Sequence, residues 1–233
     1  MTRNPPRLAE EFYYQGVPDY MLDVYDWAYV NPRHAAFLDH NWVVRTLLFG
    51  NDQRLMRRYL DRVKPGMKVW QVAHVYGDLV QRVARKVGVG GRFDLTDITP
   101  VQIAHAERKL STFGQVNVVR ADAAEFVGDD DYDLVVSFFL LHEVPDDMKR
   151  RIVDNMLRQV PAGGCALFVD YHRPRWWHPV GWLLRGINAW LEPFANSIWR
   201  HEISEFASKA GDFRWSKKTI FGGVYQILTA ERL

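Results

Sequence analysis

From about residue 67 onward, short apolar runs alternate with stretches whose apolar positions recur three and four residues apart, the rhythm of strands and amphipathic helices taken in turn. MKVWQVA predicts a first strand. The helix after it carries Leu79, Val80, Val83, Ala84 and Val87 on one face and stops at Gly88. GRFDLTDI predicts strand two, and Thr99 followed by Pro100 reads as an N-cap and a first helical position. VNVVRA, YDLVVSFF and CALFVDY predict strands three to five. A helix from about Pro145 groups Met148, Ile152, Val153, Met156 and Val160 before PAGG ends it. FRWSKKTI and VYQILTA, joined across Phe221-Gly222-Gly223, predict a closing antiparallel pair. The pattern predicts an α/β protein with a seven-stranded doubly wound sheet. Residues 1–66 read as an N-terminal helical cap, and 67–233 as the sheet domain with an insertion at 173–200.

Composition narrows the function classes. Thirty Lys and Arg against 28 Asp and Glu give a net charge of +2, without the cationic field that nucleic-acid binding needs. Cys165 is the only cysteine, which excludes an intrachain disulfide or a cysteine zinc site and suits a reducing compartment. The N-terminus, MTRNPPRLAEEFYYQG, lacks the apolar run of a signal peptide, and no stretch reaches the roughly 18 apolar residues of a membrane span. Aromatic residues make up 14%, and five of the nine tryptophans fall between Trp176 and Trp199. In that insertion Val180, Leu183, Leu184, Ile187, Trp190, Leu191 and Phe194 share one apolar helical face, flanked by Arg173, Arg175, Arg185 and Arg200. Two readings stand: an interfacial membrane helix, or a lid over the N-terminal helices. Tyr13, Tyr14, Tyr20, Tyr25, Trp27 and Tyr29 likewise read as a cover for a ring substrate or as plain core.

Ligands of doubly wound sheets lie beyond the carboxyl ends of the strands, at the switch point beside strand one. The segment VWQVAHVYGD occupies that place. Its frame resembles the first motif of class I S-adenosylmethionine-dependent methyltransferases, a strand ending in an acidic residue and then three spaced glycines. Here Gln71 replaces the acid, Ala73 and Val75 replace two glycines, and Gly77 alone is kept. Asp97 and Ile98 end strand two, where a carboxylate accepts both ribose hydroxyls. Asp122-Ala123 after strand three resembles the motif facing adenine. SFFLLHEVPD, with Phe138, resembles the pattern after strand four in small-molecule methyltransferases, and PAGGCALFVDYHRP completes the series. Each acidic residue alone also suits a helix cap or loop surface; four motifs in order favour the cofactor. The resemblance implies a Rossmann-like class I methyltransferase fold, with the cofactor held by Gln71, Val72, Ala73, Gly77, Asp97, Ile98, Asp122, Ala123 and Phe138.

The departures from that pattern carry a second resemblance. Val72-Ala73, Val75-Tyr76-Gly77-Asp78, the LLFGN segment at 47–51, the N-terminal segment and the tryptophan-rich insertion resemble the RquA family of rhodoquinone-biosynthesis proteins over nearly the whole chain. This resemblance implies conversion of ubiquinone to rhodoquinone, a ring methoxy group giving way to an amino group, with S-adenosylmethionine as amino donor and manganese as metal. It also implies a cytoplasmic protein peripherally associated with the inner membrane. An α-amino group titrates near about 7.7–8.0 and a carboxylate raises that value, so neutral Gln71 would leave the cofactor amine freer to attack a quinone. The alternative is that Gln71 and Val75 simply repack a degenerate loop.

On this reading Gln71, Tyr76, His142 and Glu143 are the catalytic candidates, and Tyr13, Tyr14 and Tyr171 the quinone contacts. Manganese prefers oxygen and imidazole ligands, which points to Glu143, Asp170 and His172. Ordinary metal-free methyltransferases also carry a histidine where His142 lies. His74 is expected to face solvent or adenosine. Two competing functions remain: a conventional methyltransferase acting on a quinone or phenol, and a non-catalytic binding subunit.

Overall fold

The computed structural model describes residues 15–24, 32–129, 131–190 and 194–233, and the backbone alone for 185–190. Among the described residues four short helices come first: α1 (Asp19–Val24), α2 (Pro32–Leu38), α3 (Asn41–Leu47) and α4 (Asp52–Leu60). The alternating part follows as β1 (Lys68–Val72), α5 (Leu79–Val87), β2 (Arg92–Asp97), α6 (Pro100–Leu110), β3 (Val116–Arg120), β4 (Leu134–Phe138), α7 (Asp146–Arg158) and β5 (Cys165–Tyr171). The insertion forms α8 (Pro179–Trp190) and α9 (Ala195–Arg200), and β6 (Phe213–Ile220) and β7 (Tyr225–Arg232) close the chain.

The seven strands lie in the order β3-β2-β1-β4-β5-β7-β6. Strands β1 to β5 pair in parallel, and β7 runs antiparallel between β5 and β6. The switch point therefore falls between β1 and β4, at the carboxyl end of β1, as the sequence predicts. Central strands are apolar because helices cover both faces: β4 is buried throughout, and Val69, Trp70 and Val72 of β1 are fully enclosed. The five apolar positions expected on α5 are all buried. Thr99 and Pro100 open α6 as expected, yet the Thr99 hydroxyl is turned away from the helix to Asp97.

The N-terminal helices share the core of the sheet. Val44, Leu48, Leu55, Met56, Tyr59 and Val63 belong to one apolar cluster with β1 and α5. On the opposite side a fully buried lysine anchors the insertion: Lys149 Nζ donates to Val144 O at 2.6 Å, Asp146 Oδ1 at 2.9 Å and Phe194 O at 3.1 Å. The expected single apolar face of α8 is divided. Leu184 is buried, while Leu183 is exposed beside Trp182. The side chains of Ile187 and Trp190, together with Leu191, Tyr13, Tyr14, Tyr25, Trp27 and Tyr29, lie outside the described residues.

Candidate active site

A cavity of about 420 Å³ opens at the carboxyl ends of β1, β2 and β4. Among the positions expected from sequence, Ala73, Tyr76, Asp97, Ile98, Asp122, Ala123, Phe138, His142, Glu143 and Tyr171 line it. Gln71, Val72 and Gly77 stand behind this wall. Three of the four non-glycine residues with left-handed backbone among those described, Phe49 (φ 50°), Ala73 (φ 70°) and Phe139 (φ 56°), are also cavity residues. Such backbone costs about 1–2 kcal/mol per residue and concentrates where function holds it in place.

The loop after β1 keeps the backbone course of a glycine-rich turn while filling it with side chains. Gln71 is fully buried, and its Nε2 donates to Ala73 O at 3.1 Å, clamping the left-handed residue. Its Oε1 is buried without a hydrogen-bond partner. Gly77 is kept for two reasons: its φ is 84°, and a Cβ there would lie 2.9 Å from Asn41 Oδ1. Two loop N–H groups are already committed, His74 to Asp97 Oδ2 at 3.0 Å and Gly77 to Asp39 Oδ1 at 3.0 Å.

Asp97 also accepts the Thr99 N–H at 2.8 Å and the Thr99 hydroxyl at 2.7 Å, both on Oδ1. With three donors engaged, about one lone pair on Oδ2 remains, so the carboxylate has room for one ribose hydroxyl where two were expected. Burial pushes its pKa up, against the opposing bonds from Thr99 and His74. Asp122 accepts the Ala124 N–H at 2.8 Å through Oδ1, a local turn bond.

Across the cavity the wall is aromatic. Phe139 meets Tyr171 edge to face at 5.2 Å between centroids, and His142 stands perpendicular to Tyr171 at 4.8 Å. His142 Nδ1 lies 2.8 Å from Asp170 Oδ1, and its Nε2 lies 3.5 Å from Glu143 Oε1. Asp170 is itself fixed by the N–H groups of Leu141 at 2.9 Å and Tyr171 at 2.7 Å. As Asp170 can only accept, it sets the Nδ1–H form of His142 and aims Nε2 away from the strand.

The expected manganese set does not assemble. His172 Nδ1 lies 3.1 Å from Gly223 O in the β6–β7 turn, and Lys217 Nζ, a cation, lies 3.5 Å from its Nε2. Asp170 is occupied by the three donors described above. Among the described residues no group of three His, Cys, Asp or Glu side chains is placed to hold a metal. His74 does not face solvent, but it lines the cavity, on the side expected for adenosine. It is buried under the loop, with Nδ1 2.8 Å from Gln102 Oε1 and Nε2 3.4 Å from Lys109 Nζ. Burial, and then the Lys109 charge, lower its pKa to about 3.

This buried polar layer went unnoticed in the sequence. Gln102 and Lys109 on α6, with Asp39 before α3, hold the loop from beneath; Lys109 Nζ donates to Asp39 Oδ1 and to Gly77 O at 2.8 Å. Its signal was legible: Gln102, His105 and Lys109, at i, i+3 and i+7, put a polar stripe on a helix next to the sheet.

Residues 69–164 match the family model described as "Methyltransferase domain". The ubiquinone/menaquinone biosynthesis C-methyltransferase UbiE of Idiomarina loihiensis is 33% identical over 139 residues, covering 57% of this chain and 55% of that protein. The chain thus spans about half the length of the curated relatives it matches. The solved S-adenosylmethionine-dependent methyltransferase from Aquifex aeolicus superposes with a TM-score of 0.56 at 17% identity, over 87% of this chain and 99% of the other. The N-methyltransferase NodS from Bradyrhizobium japonicum with S-adenosyl-L-homocysteine gives a TM-score of 0.56 at 11% identity, over 92% and 99%. The fold is the Rossmann-like class I methyltransferase fold, and the chain is methyltransferase-like. The cofactor of that fold fits the residues present: an acceptor on Asp97, Ile98 and Ala123 as apolar neighbours, and the orphaned Gln71 oxygen beneath the loop.

Proposed function

We propose that the cavity binds S-adenosylmethionine against β1–β3 and a quinone ring against β4–β5, and exchanges a ring methoxy group for an amino group, turning ubiquinone into rhodoquinone. The observation that carries this reading is Gln71, a buried neutral amide with an unpaired oxygen where an acid is expected. It can accept one hydrogen bond from an amine without raising the amine's pKa as a carboxylate would. When bound, the cofactor would supply the nitrogen, its N–Cα bond then breaking with a Cβ proton passing to nitrogen so that the carbon skeleton would leave as the unsaturated acid. His142, held through Nδ1 by Asp170, receives at Nε2 the proton shed as the ring C–N bond forms, and returns it to the departing methoxy oxygen. Phe139 and Tyr171 offer the ring an apolar edge, and Asp97 and Asp122 hold the nucleoside.

Exposed apolar side chains support a membrane-resident substrate. Phe37, Trp42, Leu47, Trp176, Trp177, Trp182 and Leu183 are exposed; Phe37 meets Trp42 edge to face at 5.6 Å, and Leu47 itself and Leu184, next in sequence to Leu183, line the cavity. No helix among the described residues is long and apolar enough to cross a membrane, so contact would be peripheral. Trp177→Ser with Trp182→Ser is expected to reduce sedimentation with anionic liposomes.

A second reading, C-methylation of a quinone, is favoured by the names of the curated relatives. Both are tested with cofactor labelled with nitrogen-15 at the amino group and deuterium at the methyl, incubated in parallel with short-chain ubiquinone and with a demethyl quinone that keeps one ring C–H. Mass spectrometry showing nitrogen-15 in the ubiquinone with loss of a methoxy group supports amination. A deuterated methyl in place of the ring hydrogen of the demethyl quinone supports methylation, and neither label in either quinone refutes both.

A further inference from the structure

We propose that Tyr20 is a ligand-contacting residue, carried to the cavity by α1 and oriented by Phe194 of the insertion, whose hydroxyl donates a hydrogen bond to an acceptor atom of the bound ligand. The inference rests on the cavity being the site for cofactor and ring substrate.

Helix α1 and the residues before it run along the cavity between two fastenings. Arg120, at the end of β3, donates from Nη2 to Gln15 O at 2.6 Å and from Nε to Ile98 O at 3.1 Å, which ties the segment to the nucleoside side. Val17 and Met21 form a small apolar cluster of their own, and Tyr20 and Phe194 both pack against it. Tyr20 meets Phe194 edge to face, with centroids 5.9 Å apart and planes at 82°. The carbonyl of Phe194 is one of the three acceptors that hold the buried Lys149, so the ring that orients Tyr20 is itself anchored. Pro18, Tyr20 and Met21, between the two fastenings, line the cavity.

The hydroxyl of Tyr20 is available as a donor. No hydrogen bond engages it among the described residues. Burial, and then the charges of Asp122, Glu143, Asp147 and Asp97, push its pKa up, so the phenol keeps its proton. Asp97 and Asp122 can only accept, and Tyr20 adds to their side of the cavity the donor that an uncharged ring acceptor requires. That acceptor comes from one of two sources: a ring nitrogen or hydroxyl oxygen of the nucleoside, or a carbonyl oxygen of the quinone. Tyr20 touches the ligand, and Phe194 is a positioning residue.

Tyr20→Phe removes one oxygen and keeps the ring against Phe194. Phe194→Leu removes the aromatic edge and keeps the carbonyl that Lys149 holds. Affinities for S-adenosyl-L-homocysteine, by calorimetry, and for short-chain ubiquinone, by tryptophan fluorescence, are measured on wild type, both single variants and the double variant. Tyr20→Phe should lose about tenfold for one probe, which identifies the source, and stay within about twofold for the other. Phe194→Leu should lose about threefold for the same probe, and nothing further when added to Tyr20→Phe. Unchanged affinity for both probes in Tyr20→Phe, or equal losses for both, overturns the contact. A Phe194→Leu loss that is absent, or that persists in the double variant, overturns the positioning role. A wild type that binds neither probe overturns the reading of the cavity and the contact with it. Should Phe194→Leu not fold, Tyr20→Phe alone decides by the same two criteria.

Discussion

On the β1–β2 side of the cavity the wall is held by side-chain hydrogen bonds, from Asp39 through Lys109 and His74 to Tyr76, whereas on the β4–β5 side it is held by packed rings around one buried His142–Asp170 pair. A glycine-rich turn offers bare N–H groups to a ligand. Here Asp97 and Asp39 have taken the N–H groups of His74 and Gly77. On the proposed reading, recognition on that side falls to side chains that line the cavity, Asp97 first among them. The ring side needs no such rebuilding, because flat apolar edges and a tethered base already suit an aromatic or quinonoid substrate.

The largest effect is expected where the loop backbone itself is forced. Gly77→Val brings a branched side chain to φ 84° and into Asn41, and should cost about 3 kcal/mol, on the order of a 10 °C fall in Tm. A melting curve within about 1 °C of wild type would show that the brace is loose.

The ring side should break differently. Asp170→Asn can no longer set the His142 tautomer, and turnover should fall about a hundredfold with affinity for S-adenosyl-L-homocysteine retained. Equal loss of turnover and cofactor affinity would mean that the two sides are one cooperative unit.

Lys109→Met leaves Asp39 without its cation and should cost about 2 kcal/mol in urea unfolding, discounted for the partial exposure of both groups. Burial pushes the Asp39 carboxyl up, but bonds from His105 and Lys109 outweigh it and hold its pKa below the ordinary value. Its contribution is thus present at neutral pH and lost as pH falls through the folded-state value. Lys109→Met should flatten that acid limb of the stability profile, and an unchanged limb would place the stabilisation elsewhere.

The sheet was legible because its signals are local. Strand β6 and its turn at Phe221 were bounded correctly from alternation and two glycines, and α5 by its five apolar positions. The site was legible in part. Asp97 ends a predicted strand and Asp122 and His142 follow predicted strands, and strand order brings them to one cavity. What failed depended on side-chain direction. His172 follows β5 and, on spacing alone, could have joined Asp170 at a metal, but it turns to Gly223. Leu183 has the spacing of a buried residue and is exposed, while Leu184 beside it is buried. The Asp39–Lys109 contact joins residues 70 positions apart, beyond any local pattern.

The division of the cavity into a nucleoside side and a ring side is tested most directly by titrating wild type, Asp97→Asn and Tyr171→Ala with S-adenosyl-L-homocysteine and with short-chain ubiquinone. Asp97→Asn should weaken the nucleoside about tenfold and leave the quinone within about twofold, and Tyr171→Ala should do the reverse. Both variants weakening both ligands alike, or each weakening the other's ligand, would contradict the account.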